Sequence, residues 1–235
     1  MSTITENLAL VRERVDAAAR RSGRKAEDVT LVAVSKTQPV EAVWEAFQAG
    51  QRVFGENKVQ EALGKIAKGP KGCEWHLVGH LQSNKAGKVP GNFTVVHSLD
   101  SSSLALELEK RAGAKDRPVE VLIQLNWSGE DTKSGVRNIS DLGALMGGLL
   151  ACNYLDPIGL MTIPDPEMDE TATRKHFAQM RELLETIRKD FGLGPEFKEL
   201  SMGMTEDFEW AIEEGSTIVR VGTAIFGKRN TLPKG

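Results

Sequence analysis

The chain has 235 residues, 40% of them hydrophobic and 27% charged, which is an ordinary soluble globular composition with enough length to bury a substantial core. A formal net charge of -3 offers no electrostatic case for nucleic acid or an anionic membrane as partner. No apolar run approaches a membrane span, the opening stretch MSTITENLALVRERV has charges where a secretory leader needs its apolar region, and the two cysteines, Cys73 and Cys152, form no metal or redox motif, so the cytoplasm is the expected compartment.

Ile4, Leu8, Val11, Val15 and Ala18 recur at helical spacing, predicting an amphipathic helix with Thr3 and Glu6 as its capping box and Gly23 as its stop. In TLVAVSKTQP the apolar, β-branched run Leu31 to Val34 reads as a fully buried strand, with Lys36 at its carboxyl end. Pro39 suits the first turn of a helix ending near Ala49. Arg52 to Phe54 is a strand running into Gly55, Glu56 and Asn57, and a helix follows from Lys58 to Ala67. Glu74 to Val78 is a strand running into Gly79 and His80. A fourth strand spans Phe93 to Val96 and ends in His97 and Ser98; Asp100 or a following serine caps the helix through Arg111.

Val119 to Asn126 is a fifth strand, followed by a polar loop from Trp127 to Gly135 and a helix from Ser140 to about Leu150. Pro157 to Thr162 is a sixth strand. The helix from Thr171 to Asp190 puts Phe177, Met180, Leu183, Leu184 and Ile187 on one face, and His176 is expected on its surface. Glu199 to Met202 is a short seventh strand, Thr205 is expected to cap a helix ending at Gly215, and Thr217 to Val221 is an eighth strand leading into Gly222, Thr223 and a short closing helix. This alternation predicts an α/β fold: a single (β/α)8 TIM-like barrel over residues 1–235, with an extra N-terminal helix. The rival, a doubly wound open sheet, would carry a G-x-G-x-x-G turn after its first strand, and none is present.

Strand ends of a barrel share one face. Here they carry Lys36, Asn57, His80, Ser98, Asn126, Met161, Ser201, Arg220 and Thr223. A lysine on a rigid strand end is placed to form a Schiff base, although among 30 Lys and Arg it reads, taken alone, as one more surface cation. The loops after strands seven and eight hold Ser201-Met202-Gly203-Met204-Thr205 and Gly222-Thr223, where barrels often bind phosphate; otherwise the glycines only shape turns. Arg220 lies inside the apolar strand TIVRVG and points into the barrel mouth, either at a ligand or into a structural ion pair. His76 and His80 lack a third ligand and make a poor metal site; His80, at a strand end, is better placed as a hydrogen-bonding group beside a ligand, and His97 does the same or caps the loop. Trp44, Trp75, Trp127 and Trp210 read as core or rim packing, and Met161, Met202 and Met204 as gap-fillers or the lining of a flat cofactor.

The ordered motifs AVSKTQP, FGENKVQEA, WHLVGHLQSNK, VHSLDS, TKSGV, GLMTIP, LSMGMTEDFEWAI and STIVRVGTAIFG resemble those of the pyridoxal phosphate homeostasis proteins, single-domain relatives of the alanine racemase N-terminal barrel. The resemblance covers nearly the whole chain. It implies pyridoxal 5'-phosphate as cofactor, with Lys36 as the Schiff-base lysine, Ser201, Gly222 and Thr223 at the phosphate, Arg220 at the pyridine nitrogen, and Asn57, His80 and Met161 around the ring. It departs from the family pattern at Lys58, where relatives often have tyrosine, and at Trp127-Ser128.

Arginine in place of a carboxylate leaves the pyridine nitrogen unprotonated and the ring a weak electron sink. Racemisation also needs a second acid/base, a tyrosine from a second domain in alanine racemase, whereas the sole tyrosine here, Tyr154, precedes the sixth strand. The resemblance therefore implies a monomeric, non-catalytic carrier in vitamin B6 homeostasis that buffers the cofactor or delivers it to apo forms of pyridoxal-phosphate enzymes. The alternative is a racemase or decarboxylase of low activity.

Overall fold

The computed structural model describes residues 3–126 and 134–227. Its strands, β1 (Thr30–Val34), β2 (Val53–Glu56), β3 (Glu74–Leu77), β4 (Val95–Leu99), β5 (Val119–Leu125), β6 (Leu155–Thr162), β7 (Glu199–Ser201) and β8 (Ile218–Val221), close in sequence order into a barrel in which every pairing is parallel. The helices are α1 (Ile4–Arg21), α2 (Val40–Gln48), α3 (Val59–Lys68), α4 (Ser102–Gly113), α5 (Ile139–Leu149), α6 (Glu170–Asp190), α7 (Phe208–Glu213) and α8 (Thr223–Phe226). The expected (β/α)8 TIM-like barrel with an extra N-terminal helix is the fold observed. α1 packs on α2, α7 and α8 through Leu8, Val11, Val15 and Ala18, and the Thr3–Glu6 capping box is formed at both of its bonds.

Strand alternation sorts the apolar residues into two bodies. Ala33, Phe54, Leu77, Val96, Val121, Leu160, Val219 and Val221 face outward and pack under the helices. Val32, Val34, Val78, Val95, Leu122, Met161 and Ile218 fill the barrel interior. Arg220, between two outward valines, therefore points inward as its position in TIVRVG predicts.

Several expectations need correction. β4 begins at Val95 and runs through Leu99, so His97 and Ser98 are strand residues and His97 is wholly buried. The crossover from β3 to β4 is a 3-10 helix, Ser83–Lys88. The cap of α4, by contrast, is one of those expected: Ser101, a serine following Asp100, supplies it, and Asp100 faces His80. The helix expected from Thr205 starts only at Phe208, because the Asp207 carboxylate accepts the Met204 N–H at 2.6 Å and closes a turn first. His176 is buried, with Nε2 2.8 Å from the Thr162 hydroxyl. The helical period already placed it there, since Thr173, His176, Phe177, Met180, Leu184 and Ile187 form one buried stripe.

Candidate functional site

Lys36 follows β1 at the carboxyl rim and is half-buried. The backbone on both sides of it is held. Ser35 donates its hydroxyl to Glu56 Oε1 at 2.6 Å, and its carbonyl accepts from Lys65 Nζ at 2.6 Å. Thr37, with φ at +64°, donates its N–H to Glu61 Oε1 at 2.5 Å. Lys65 also donates to Glu56 and Glu61 at 2.7 and 2.8 Å, so its ammonium spends its donors inside this cluster. Burial pushes the Glu56 carboxyl up, against the pull of Lys65 and Ser35, and Glu56 Oε2 is buried without a hydrogen-bond partner among the described residues. Sequence reasoning missed this clamp. A glutamate at the end of a short apolar strand was its one visible signal; that Lys65 answers it depends on how α3 lies across β1 and β2.

β1 and β8 pair with Ala33 opposite Val221, which brings Gly222 and Thr223 beside the Lys36 rim. The approach is close: a Cβ added at Gly222 would lie 3.1 Å from the Val34 carbonyl oxygen. Thr223 is exposed at the start of α8.

Arg220 is 5% exposed at the top of the barrel interior. It donates from Nη1 to Ser201 Oγ at 2.5 Å and from Nη2 to the Thr162 carbonyl at 2.9 Å. Both acceptors are neutral. Burial pulls its pKa down to about 10, and Asp207 opposes this through space. At that value the guanidinium still carries its charge at neutral pH. Ser201, expected at the phosphate, directs its hydroxyl to Arg220 and to His97 Nδ1, 2.8 Å away. Contact with an anion would require that hydroxyl to exchange partners.

Asn57 and His80 line a cavity of about 260 Å³ at the mouth, together with Gln124, Asn126 and Ser134 and the apolar walls of Val78 and Ile163. His80 is exposed, its Nδ1 3.2 Å from Ser134 Oγ and 3.4 Å from Asp100 Oδ2. Ser98 is buried and donates to the Gly79 carbonyl at 2.8 Å, a bond that ties strand ends together. Met161 is buried in the interior cluster, Met202 packs outward under the helices and Met204 is exposed. Lys58 is exposed, and Trp127, Ser128 and the first half of TKSGV lie outside the described residues. Trp75 is core, Trp44 is exposed and Trp210 half-buried. Tyr154 precedes β6 at the opposite rim, with its hydroxyl 3.2 Å from Asp116. Among the described residues no His, Cys, Asp and Glu cluster could hold a metal ion, and no helix is long and apolar enough to cross a membrane.

Residues 7–230 match the alanine racemase N-terminal domain family. The pyridoxal phosphate homeostasis protein of Pseudomonas aeruginosa is 46% identical over 98% of this chain and 97% of its own, and that of Escherichia coli strain K12 is 43% identical over the full length of both. PipY of Synechococcus elongatus, solved without and with PLP, superposes at TM-scores of 0.87 and 0.84 with 37% identity, over 96% of this chain and all of PipY. An alanine racemase of Clostridium difficile shares the fold alone, at 14% identity and a TM-score of 0.73, with this chain covering 60% of its length. The chain belongs to the alanine racemase N-terminal domain family and, within it, to the pyridoxal phosphate homeostasis proteins.

Proposed function

We propose that this protein binds pyridoxal 5'-phosphate at the barrel mouth as a Schiff base on Lys36, and that it buffers the cofactor or delivers it to apo forms of pyridoxal-phosphate enzymes in the cytoplasm, without efficient turnover. The observation that carries the reading is the pairing of β1 with β8, which sets Lys36, Arg220, Gly222 and Thr223 around one rim. The donor set suits the cofactor. Lys36 supplies the amine, and Gly222 and Thr223 offer close backbone approach and a hydroxyl to a phosphate. The five N–H donors of Arg220 exceed the two neutral acceptors it has among the described residues, so it has capacity for a ring nitrogen. Asn57 and His80 line the cavity at the mouth, while Met161 is buried in the barrel interior.

The same residues argue for restraint in catalysis. When bound, the cofactor supplies an electron sink, and its strength depends on protonation of the ring nitrogen. Arg220 is charged and donates only, so it holds no proton to give at neutral pH. The sole tyrosine, Tyr154, lies at the far rim and cannot serve as an acid/base above Lys36.

The test is the visible absorption of the purified protein mixed with pyridoxal 5'-phosphate, beside Lys36→Ala. A Schiff-base band in the parent alone supports the reading. No band in either protein removes it, and measurable racemisation or decarboxylation of amino acids by the parent would favour the low-activity enzyme instead.

A further inference from the structure

Under Arg220 the barrel interior holds a continuous line of polar groups. Ser201 Oγ is 2.8 Å from His97 Nδ1, His97 Nε2 is 2.9 Å from His76 Nδ1, and His76 Nε2 is 3.0 Å from Glu74 Oε1. His97 is wholly buried and His76 nearly so, while the Glu74 side chain is 46% exposed at the amino-terminal rim. The line therefore runs through the barrel from the mouth to the opposite face. Buried imidazoles displace aliphatic side chains that would pack as well, so their presence here needs a reason.

With both rings neutral, the carboxylate end sets the direction of the line. A carboxylate only accepts, so His76 carries its proton on Nε2. In a neutral ring its Nδ1 must then accept, which places the His97 proton on Nε2 and leaves His97 Nδ1 as the acceptor of the Ser201 hydroxyl proton. Ser201 Oγ is thereby left with lone pairs for Arg220. Burial, together with the positive field of Arg220, holds His97 well below the ordinary histidine pKa and in its neutral form. Among the described residues, Glu120 also interacts with His76 through space.

We infer that His97 and His76 are positioning residues: they turn Ser201 into a fixed acceptor for Arg220 and keep the carboxylate that ends the line at the far rim. This inference rests on the proposed placement of Arg220 at the cofactor ring. A carboxylate bonded directly to Arg220 would divide its donors and bring negative charge toward the ring nitrogen, favouring protonation there. Neutral acceptors on Arg220, with Glu74 at the remote end, let the cation act on the ring undivided while every buried polar group in the line has a partner.

The direct test is nitrogen-detected NMR of the histidine rings in the cofactor-free protein at neutral pH. Both rings are expected to carry the proton on Nε2 and not on Nδ1. A doubly protonated ring, or the Nδ1–H tautomer at either position, reverses the line and overturns the inference. The second arm measures the dissociation constant of pyridoxal 5'-phosphate for His97→Leu and His97→Gln. Loss of the acceptor in His97→Leu should weaken binding by about tenfold, the scale of one charge-assisted bond, while the Lys36 Schiff-base band is retained. His97→Gln, whose carbonyl can accept from Ser201, should recover part of the affinity. Unchanged affinity in a folded His97→Leu counts against the inference, and if that variant does not fold the tautomers decide. Failure of the parent to take up the cofactor would instead sink the proposed function, and the ring tautomers would still report on the line.

Discussion

Lys65 donates to the Ser35 carbonyl at 2.6 Å, one residue before Lys36, and the same ammonium neutralises Glu56, which is wholly buried. One lysine thus fixes the backbone that presents the other. Lys65→Met removes the partner of a buried carboxylate and should cost about 3–5 kcal/mol of stability. Pairing it with Glu56→Leu removes the stranded charge and should recover part of that loss, leaving Ser35 with fewer bonds. Urea denaturation of the two variants checks the order. Where they fold, pyridoxal 5'-phosphate should attach more slowly, because Lys65 no longer holds the Ser35 carbonyl; a parental stability for Lys65→Met would mean the clamp has no energetic role.

The clamp also makes a pH prediction whose sign runs against habit. Burial raises the Glu56 carboxyl above its ordinary value of 4.5, with Lys65 and Ser35 opposing. The folded chain then holds that proton more tightly than the unfolded chain does. This contribution to stability is fully present below pH 4.5 and is lost as pH rises through the folded value. At Glu213 burial is outweighed by Arg21 and Arg174, so its carboxyl lies below 4.5, and its contribution is present above that pH and lost as pH falls. Glu56→Gln should therefore flatten the decline in urea midpoint above pH 4.5, whereas Glu213→Gln should reduce the loss on the acid side. Identical profiles for the two variants would contradict the assignment.

Much of this was legible in the sequence because parallel barrel strands, buried on both faces, read as apolar runs and their helices as amphipathic stripes. Lys36, Asn57, Gly222 and Thr223 were legible because they sit where such runs stop. What lay inside the barrel was not. Phe93 to Val96 looks like the whole of the fourth strand because His97 and Ser98 break the apolar run, yet the ladder continues to Leu99 with His97 buried. Its polarity is answered by Ser201, 104 positions away in the chain, and by His76, 21 away. The Glu56–Lys65 pair was hidden for the same reason: a buried charge is recognisable only once its partner is placed.

Gly203 supports the seventh unit by lacking a side chain. Its φ is +95°, and a Cβ there would lie 2.6 Å from the Ala211 Cβ and 2.9 Å from the Phe208 Cα, while its carbonyl accepts the Arg220 N–H. Gly203→Ala should destabilise the protein by roughly 2 kcal/mol or more, through backbone strain together with overpacking against α7. Thermal unfolding measures it. A loss of only a few tenths would show that α7 moves aside freely.

Arg220 sets stability against binding. Its guanidinium is buried on neutral acceptors, an arrangement that costs solvation without a directly bonded counter-charge among the described residues. Arg220→Met keeps much of the aliphatic volume and removes the buried charge, although it strands the Thr162 carbonyl and leaves Ser201 to His97 alone. The cofactor-free variant is accordingly expected within about 1 kcal/mol of the parent, or above it, rather than several below. Binding should move the other way. Without the donor at the ring nitrogen, pyridoxal 5'-phosphate should still form its Schiff base on Lys36 but dissociate at least about tenfold more readily, the scale of one bond from a charged group. Paired measurements of thermal midpoint and cofactor dissociation separate the two effects. A large loss of stability with unchanged affinity would make Arg220 a structural cation and would take the ring-nitrogen role away from it.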